Sequence, residues 1–213
     1  MVRKIVDTKS DQEMWPNLEA YRNYALELGA SDARIIASKD VIVDERVLAK
    51  CTYPKCEFYG TNINCPPYSM RPEQTQRVVD EYRYGIFVKV QGPIEAFVGE
   101  AIKMPTLGNP YRRKLAEIVA KIESCAFYDG YYLALAFSAG CCKTLYCPKL
   151  ECAGLTTGQP CRNAIIARSS LEAVGIDAYR MAARAGWDIY PLGKTSQLSD
   201  APHGLRLGMV LID

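Results

Sequence analysis

The chain has 213 residues, 49% hydrophobic and 23% charged, enough to bury one sizeable core with at most a small appended module. Its 26 Lys and Arg against 24 Asp and Glu leave a formal net charge of +2, which speaks against a polyanion-binding surface and hence against a nucleic-acid partner. The longest apolar runs, such as 131–137, fall far short of the roughly 20 residues of a membrane span, and the first seven residues carry no apolar leader, so the expectation is a soluble cytoplasmic chain with no membrane partner.

Asn17 is the expected cap of a first helix, with Leu18, Tyr21, Ala25 and Leu28 at helical spacing and Gly29 as its stop. A short strand is expected over 33–37, and Val41-Ile42-Val43 reads either as another strand or as the approach to the cysteines that follow. Ser69 and Pro72 mark a helix start with Val78, Val79 and Tyr82 on the inner face. Residues 84–90, rich in β-branched and aromatic side chains, read as a strand. Asn109-Pro110 opens the clearest helix, in which Tyr111, Leu115, Ile118, Ile122 and Cys125 follow at steps of four, three, four and three. The apolar run 131–137 is expected as a strand buried on both faces. Ser169 and Glu172 have capping-box spacing with Gly175 as stop, Asp177 caps a second short helix ending at Gly186, and 206–212 reads as a final strand. Strands alternating with helices predict one α/β or α+β domain over residues 1–213, with a central mixed sheet flanked by helices.

Two cysteine-rich loops, about 50–68 and 140–162, interrupt this scaffold. Of nine cysteines, Cys51, Cys56 and Cys65 form one group, and Cys141, Cys142, Cys147, Cys152 and Cys161 another. Cys125, on an apolar helix stripe, reads as core packing. Such clusters in an intracellular chain point to metal binding more than to disulfides. The spacing Cys51-x4-Cys56-x8-Cys65 recurs as Cys147-x4-Cys152-x8-Cys161, an internal repeat that predicts two similar sites. The soft thiolate set suits an iron–sulfur cluster or tetrahedral zinc. The single histidine, His203, is remote, lies between Pro202 and Gly204, and reads as a surface loop residue, so mixed Cys/His zinc sites are largely excluded. Each triad lacks a fourth thiolate. Adjacent side chains on extended backbone point opposite ways, so Cys142 is expected to close the second site and Cys141 to reach the first; otherwise the first site keeps an open iron. Arg162 and Arg168 read either as a solvated helix face or as donors to cluster sulfurs or an anionic ligand. No phosphate loop, dinucleotide fingerprint, serine-nucleophile motif or His-Glu-x-x-His is present, so whether the chain is an enzyme stays open, and any catalysis would have to live on the metal centres.

Cys65-Pro66-Pro67, Gly158-Gln159-Pro160-Cys161-Arg162 and Ser170-Leu171-Glu172-Ala173-Val174-Gly175-Ile176-Asp177 together resemble the uncharacterised family of predicted metal-binding proteins of anaerobic bacteria and archaea, and the likeness covers most of the chain. The resemblance implies metal binding, iron–sulfur in kind, and an anaerobic setting; it supplies no reaction. The combined expectation is an iron–sulfur protein with two 4Fe–4S-type clusters, ligated by Cys51, Cys56, Cys65 and Cys141 and by Cys142, Cys147, Cys152 and Cys161. It would transfer electrons to, or reductively activate, a redox partner protein. The alternatives are a zinc-stabilised module without redox role and a small metalloenzyme with an open iron at the first site.

Overall fold

The computed structural model describes residues 2–6, 8–104 and 108–213. Helix α1 (Asp11–Glu27) is capped by Ser10, seven residues before the expected Asn17 cap, because Ser10 and Glu13 form a reciprocal capping box that satisfies two otherwise orphaned amides. Leu18, Tyr21 and Ala25 form its buried stripe together with Met14. The chain leaves through Gly29 at φ +94° into strand β1 (Asp32–Ala37). Val43 makes an isolated bridge to Ile176 and leads into helix α2 (Glu45–Thr52), capped by the Asp44 carboxylate. That helix, absent from the sequence reading, carries Cys51. Helix α3 (Pro72–Asp80) starts on Pro72 as expected, and strand β2 (Tyr84–Gly92) follows.

Helix α4 (Gly108–Tyr128) buries Leu115, Ile118 and Ile122, the predicted stripe. The expected strand over 131–137 shrinks to β3 (Leu135–Phe137). Tyr131 is buried with α1 and α4 in one core cluster, its hydroxyl accepting from Asn17, while Tyr132 and Leu133 are 51% and 61% exposed. The apolar run is therefore divided between a turn that anchors the helices and a short edge strand. Beyond it lie the short helices α5 (Cys142–Tyr146) and α6 (Ala153–Thr156). Glu172–Val174 is a single 3₁₀ turn without the expected Ser169 capping box; Gly175 ends it with φ +83°. Helix α7 (Ala178–Arg184) is capped by Asp177 as predicted, and strand β4 (Gly204–Ile212) closes the chain.

The sheet order is β1-β2-β4-β3, and every strand pair is antiparallel. The fold is thus a single α+β domain whose sheet is antiparallel rather than mixed. The second cysteine loop leaves the end of β3. Alternation along the strands sends Ile86, Val88, Val90, Val210 and Ile212 into a core with α1 and α4. Phe87, Phe137, Met209 and Leu211 enter a second core with Leu171, Ile176, Met181 and Trp187. Among the described residues no helix is long and apolar enough to cross a membrane.

One ion pair joins the helical layer to the edge strand. Glu123 of α4 accepts from the β3 amide of Ala136 at 2.8 Å and from Arg168 Nε at 2.8 Å, and the pair is largely buried. Replacing one member strands the other charge in a low-dielectric setting. Glu123→Ala is expected to lower the unfolding free energy by about 3 kcal/mol, read by denaturant titration, whereas Lys121→Ala on the exposed face of the same helix is expected to change it by less than about 0.5 kcal/mol.

Candidate metal centre

The last turn of α2 delivers Cys51, and Cys56 turns back on it, its amide donating to the Cys51 carbonyl at 2.9 Å. Cys65 sits in a tight turn whose amide donates to Asn62, while Gly60 donates to Pro66 at 2.8 Å. This first loop is tied to the rest by side chains: Ser69 Oγ donates to the Ala173 carbonyl and Thr75 Oγ1 to the Val174 carbonyl, both at 2.7 Å. The second loop leaves β3 at Ser138, whose amide donates to Ser169; Leu171 donates back to Ser138. Residues 139–168 are therefore an excursion pinned at its base by a parallel bridge between Ser138 and Ser170. Cys141 and Cys142 lie at the start of that excursion, against the first loop.

The two neighbouring thiols are divided between two recesses. One is walled by Cys51, Cys56, Cys65 and Cys141, with Arg112 and Glu172 on its far side. The other, about 380 Å³ counting its mouth, is walled by Cys142, Cys147, Cys152 and Cys161, with Tyr146, Arg162 and Asn163. Among the described residues no three His, Cys, Asp or Glu side chains converge on one ion-sized position; the thiols stand around the recess walls. Cys125 packs partly buried against the α1–α4 core, and His203 is held by the Asp188 carbonyl.

Asparagine amides hold the sulfurs. Asn62, 2% exposed, donates through Nδ2 to Cys141 Sγ at 3.3 Å and accepts from Cys142 Sγ at 3.5 Å. Asn64 Nδ2 donates to Cys142 Sγ at 3.5 Å. In the second loop Asn163 donates through its side chain to Cys147 Sγ at 3.3 Å and through its backbone amide to Cys161 Sγ at 3.4 Å. Behind Cys141, the buried Arg112 donates to its carbonyl at 2.8 Å. Gly140 has φ +64°, and a Cβ there would lie 2.6 Å from Arg112 Nη2, so only glycine lets the guanidinium approach. Arg162 lines the second recess and donates to the Glu151 carbonyl at 2.7 Å. Arg168 is engaged by Glu123 and by the carbonyls of Ala164 and Ala167 and lines neither recess. Asn62, Asn64, Asn163, Arg112 and Glu172 were not singled out for this chemistry in the sequence reading. The asparagines stand within three residues of a cysteine and so carried a local signal; Arg112, far from either loop in sequence, carried none.

Burial, then the neighbouring Cys56 and Glu172, pushes the Cys51 thiol up to about 11. Cys141 is eased down by its hydrogen bond with Cys142, but the bond to Cys65 and burial outweigh this and raise it to about 11. Cys142 is raised by Cys141 and by burial, whereas Cys65 is lowered by the hydrogen bond from Cys141. Without a cation most of these thiols hold their protons, because thiolates crowded in a dry recess repel one another.

The family model described as Predicted metal-binding protein (DUF2284) matches residues 34–212. No curated protein and no solved structure matches the chain.

Asn62 bridges the two thiols and also accepts the Asn64 amide at 3.0 Å. Asn62→Ala leaves that buried amide unpaired, and the expected cost is about 2 kcal/mol, measured by thermal or urea unfolding; Asn23→Ala, on exposed α1 surface, is expected to cost less than about 0.5 kcal/mol.

Proposed function

We propose, from the premise that the chain belongs to the predicted metal-binding protein family over residues 34–212, that it is an iron–sulfur protein carrying two 4Fe–4S-type clusters and serving electron transfer or reductive activation. The observation that carries this reading is the division of eight cysteines into two recesses of four, with the neighbours Cys141 and Cys142 lining different ones. Cys51, Cys56, Cys65 and Cys141 would hold the first cluster, and Cys142, Cys147, Cys152 and Cys161 the second.

The residues present fit such a group in three respects. Four soft donors per recess match the four thiolates that an iron–sulfur cubane takes from its protein. A tetrahedral zinc ion needs its sulfurs about 2.3 Å from a single point, whereas among the described residues no three of these side chains converge on one ion-sized position. Asn62, Asn64 and Asn163 aim amide hydrogens at sulfur, the kind of hydrogen bond that tunes cluster potential. Zinc remains the competing reading for the same donor set.

The clusters would supply one-electron chemistry. What the protein does for it is to bring two four-thiol recesses together at one short segment, where Cys141 and Cys142 meet. Large apolar side chains on the two loops, Tyr53, Tyr68, Leu150 and Ile165, are all more than half exposed, which suits docking of a redox partner protein beside the sites.

Anaerobically purified protein is expected to contain iron and acid-labile sulfide in equal amounts and to be brown; zinc without sulfide, and no colour, would overturn the reading. Cys152→Ser is expected to remove about half of the iron, and Cys141→Ser and Cys142→Ser to damage different clusters, distinguished by electron paramagnetic resonance of the reduced variants.

Metal loading is expected to depend on pH with a definite sign. The raised thiols of Cys51 and Cys141 are protonated at neutral pH, and each thiolate–metal bond releases one proton. Apparent affinity therefore rises with pH, by about tenfold per unit for each proton released. A competition titration between pH 6.5 and 8 checks this.

A further inference from the structure

Beside Gly140, a third recess opens between β4 and α7. It shares Ile102, Gly140, Glu172 and Arg206 with the first cysteine recess. Its remaining wall is mostly apolar and aromatic, including Tyr179, Ile189, Tyr190 and Leu192. The space within the recess is about 160 Å³, room for a small organic molecule only, and its apolar wall is combined with convergent polar groups as in ligand sites.

The polar end of this recess is incompletely satisfied. Arg206 Nε and Nη2 are buried without a hydrogen-bond partner, and so is Glu172 Oε2. Buried unpartnered polar atoms are rare and costly, and each asks for a missing partner. The Arg206 guanidinium lies over the Phe97 ring at 4.7 Å, which holds its plane but uses none of those donors. Burial and then the nearby Arg112 lower its pKa to about 10, partly offset by Glu172 and Tyr179. Arg112 faces the Cys141 and Cys142 thiols as well as Glu172, whereas Arg206 faces Glu172 and keeps two unpartnered donors.

We propose that this recess binds a small organic carboxylate with an apolar body. The carboxylate takes the free Nε and Nη2 donors of Arg206, a geometry in which guanidinium and carboxylate pair through two parallel hydrogen bonds. Glu172 Oε2 accepts from a hydroxyl or ammonium on the adjoining carbon, and the hydrocarbon lies along Tyr190, Ile189 and Leu192. The bound head group would sit beside Gly140, one residue from Cys141, so that ligand and first cysteine site share a wall. The site is built by residues outside the eight cysteines and does not depend on which metal they hold.

Binding to the anaerobically purified full chain is measured by isothermal titration with four probes: 3-phenylpropionate, its neutral amide, 3-phenyllactate and phenylalanine. The expected order has 3-phenylpropionate at least tenfold tighter than the amide. A further gain for phenyllactate or for phenylalanine identifies the donor that Glu172 accepts, and Glu172→Gln reduces that gain. Arg206→Gln is expected to weaken carboxylate binding at least tenfold. Should that variant fold poorly, Leu192→Trp fills the recess from its rim and is expected to abolish binding with an unchanged circular dichroism spectrum. Equal affinity for acid and amide, full affinity in Arg206→Gln, or no binding of any probe at millimolar concentration overturns the site. Iron content is measured beside each titration: Arg206→Gln that loses iron while keeping carboxylate affinity assigns the guanidinium to the metal centre instead, and the proposal fails.

Discussion

Two adjacent thiols that touch each other yet line different recesses are the constraint around which this molecule is arranged. Cys141 and Cys142 leave the end of β3 where the chain is held from three directions. β3 pairs with β4, Ser138 bridges Ser170, and Arg112 grips the Cys141 carbonyl. Cys141 is extended but Cys142 opens α5, so the segment keeps the two sulfurs within hydrogen-bond reach of each other while each lines a different recess. The first loop is then brought against it by Asn62 and Asn64, whose side chains meet the two sulfurs. A shift of one residue in this segment would move one thiol into the other's place and put Gly140 or Lys143 in the vacated one, so the register of a three-residue edge strand governs both sites.

Electrostatics around the two recesses are asymmetric. The first recess has Arg112, Arg206 and Glu172 in its wall, with the arginines lowered by burial. The second has Lys143 and Arg162 at its wall, nearer to solvent. Buried cations cost desolvation energy unless they face negative charge. Thiolates supply such charge on the first side, and their protonation in the absence of a cation is the other half of the same balance. The recurrent cysteine spacing therefore does not make the two sites equivalent: one is backed by the protein interior and opens towards a further recess, and the other lies under a loop at the surface.

The antiparallel sheet explains how such loops are tolerated. Both of its faces are covered, one by α1 and α4 and the other by Leu171, Ile176, Met181 and Trp187. The cysteine loops therefore lie beyond the sheet and are held by a small number of specific hydrogen bonds, such as Ser69 to Ala173 and Thr75 to Val174. Folding of the sheet does not require the loops to bury their apolar side chains, several of which stay exposed, and their order rests on polar contacts and on whatever occupies the thiols.

Local chemistry was legible in the amino-acid sequence alone. The Asp177 cap, the Gly29 and Gly175 stops, the 3.6-residue stripe of α4 and the β-branched run of β2 each depend on a few neighbouring residues, and the cysteine spacing announced soft-metal chemistry in the same way. The start of α1 was read too late because the Ser10–Glu13 box lies in a polar segment ahead of the apolar stripe. The run 131–137 was read as one buried strand because hydrophobicity reports burial without saying whether a sheet or a pair of helices does the burying. Which recess each thiol faces, the pairing of Arg168 with Glu123, and the meeting of Arg112, Glu172 and Arg206 were decided only by the tertiary structure. Those groups lie tens of residues apart, and nothing in their local sequence encodes a distance that arises when β4 pairs between β2 and β3.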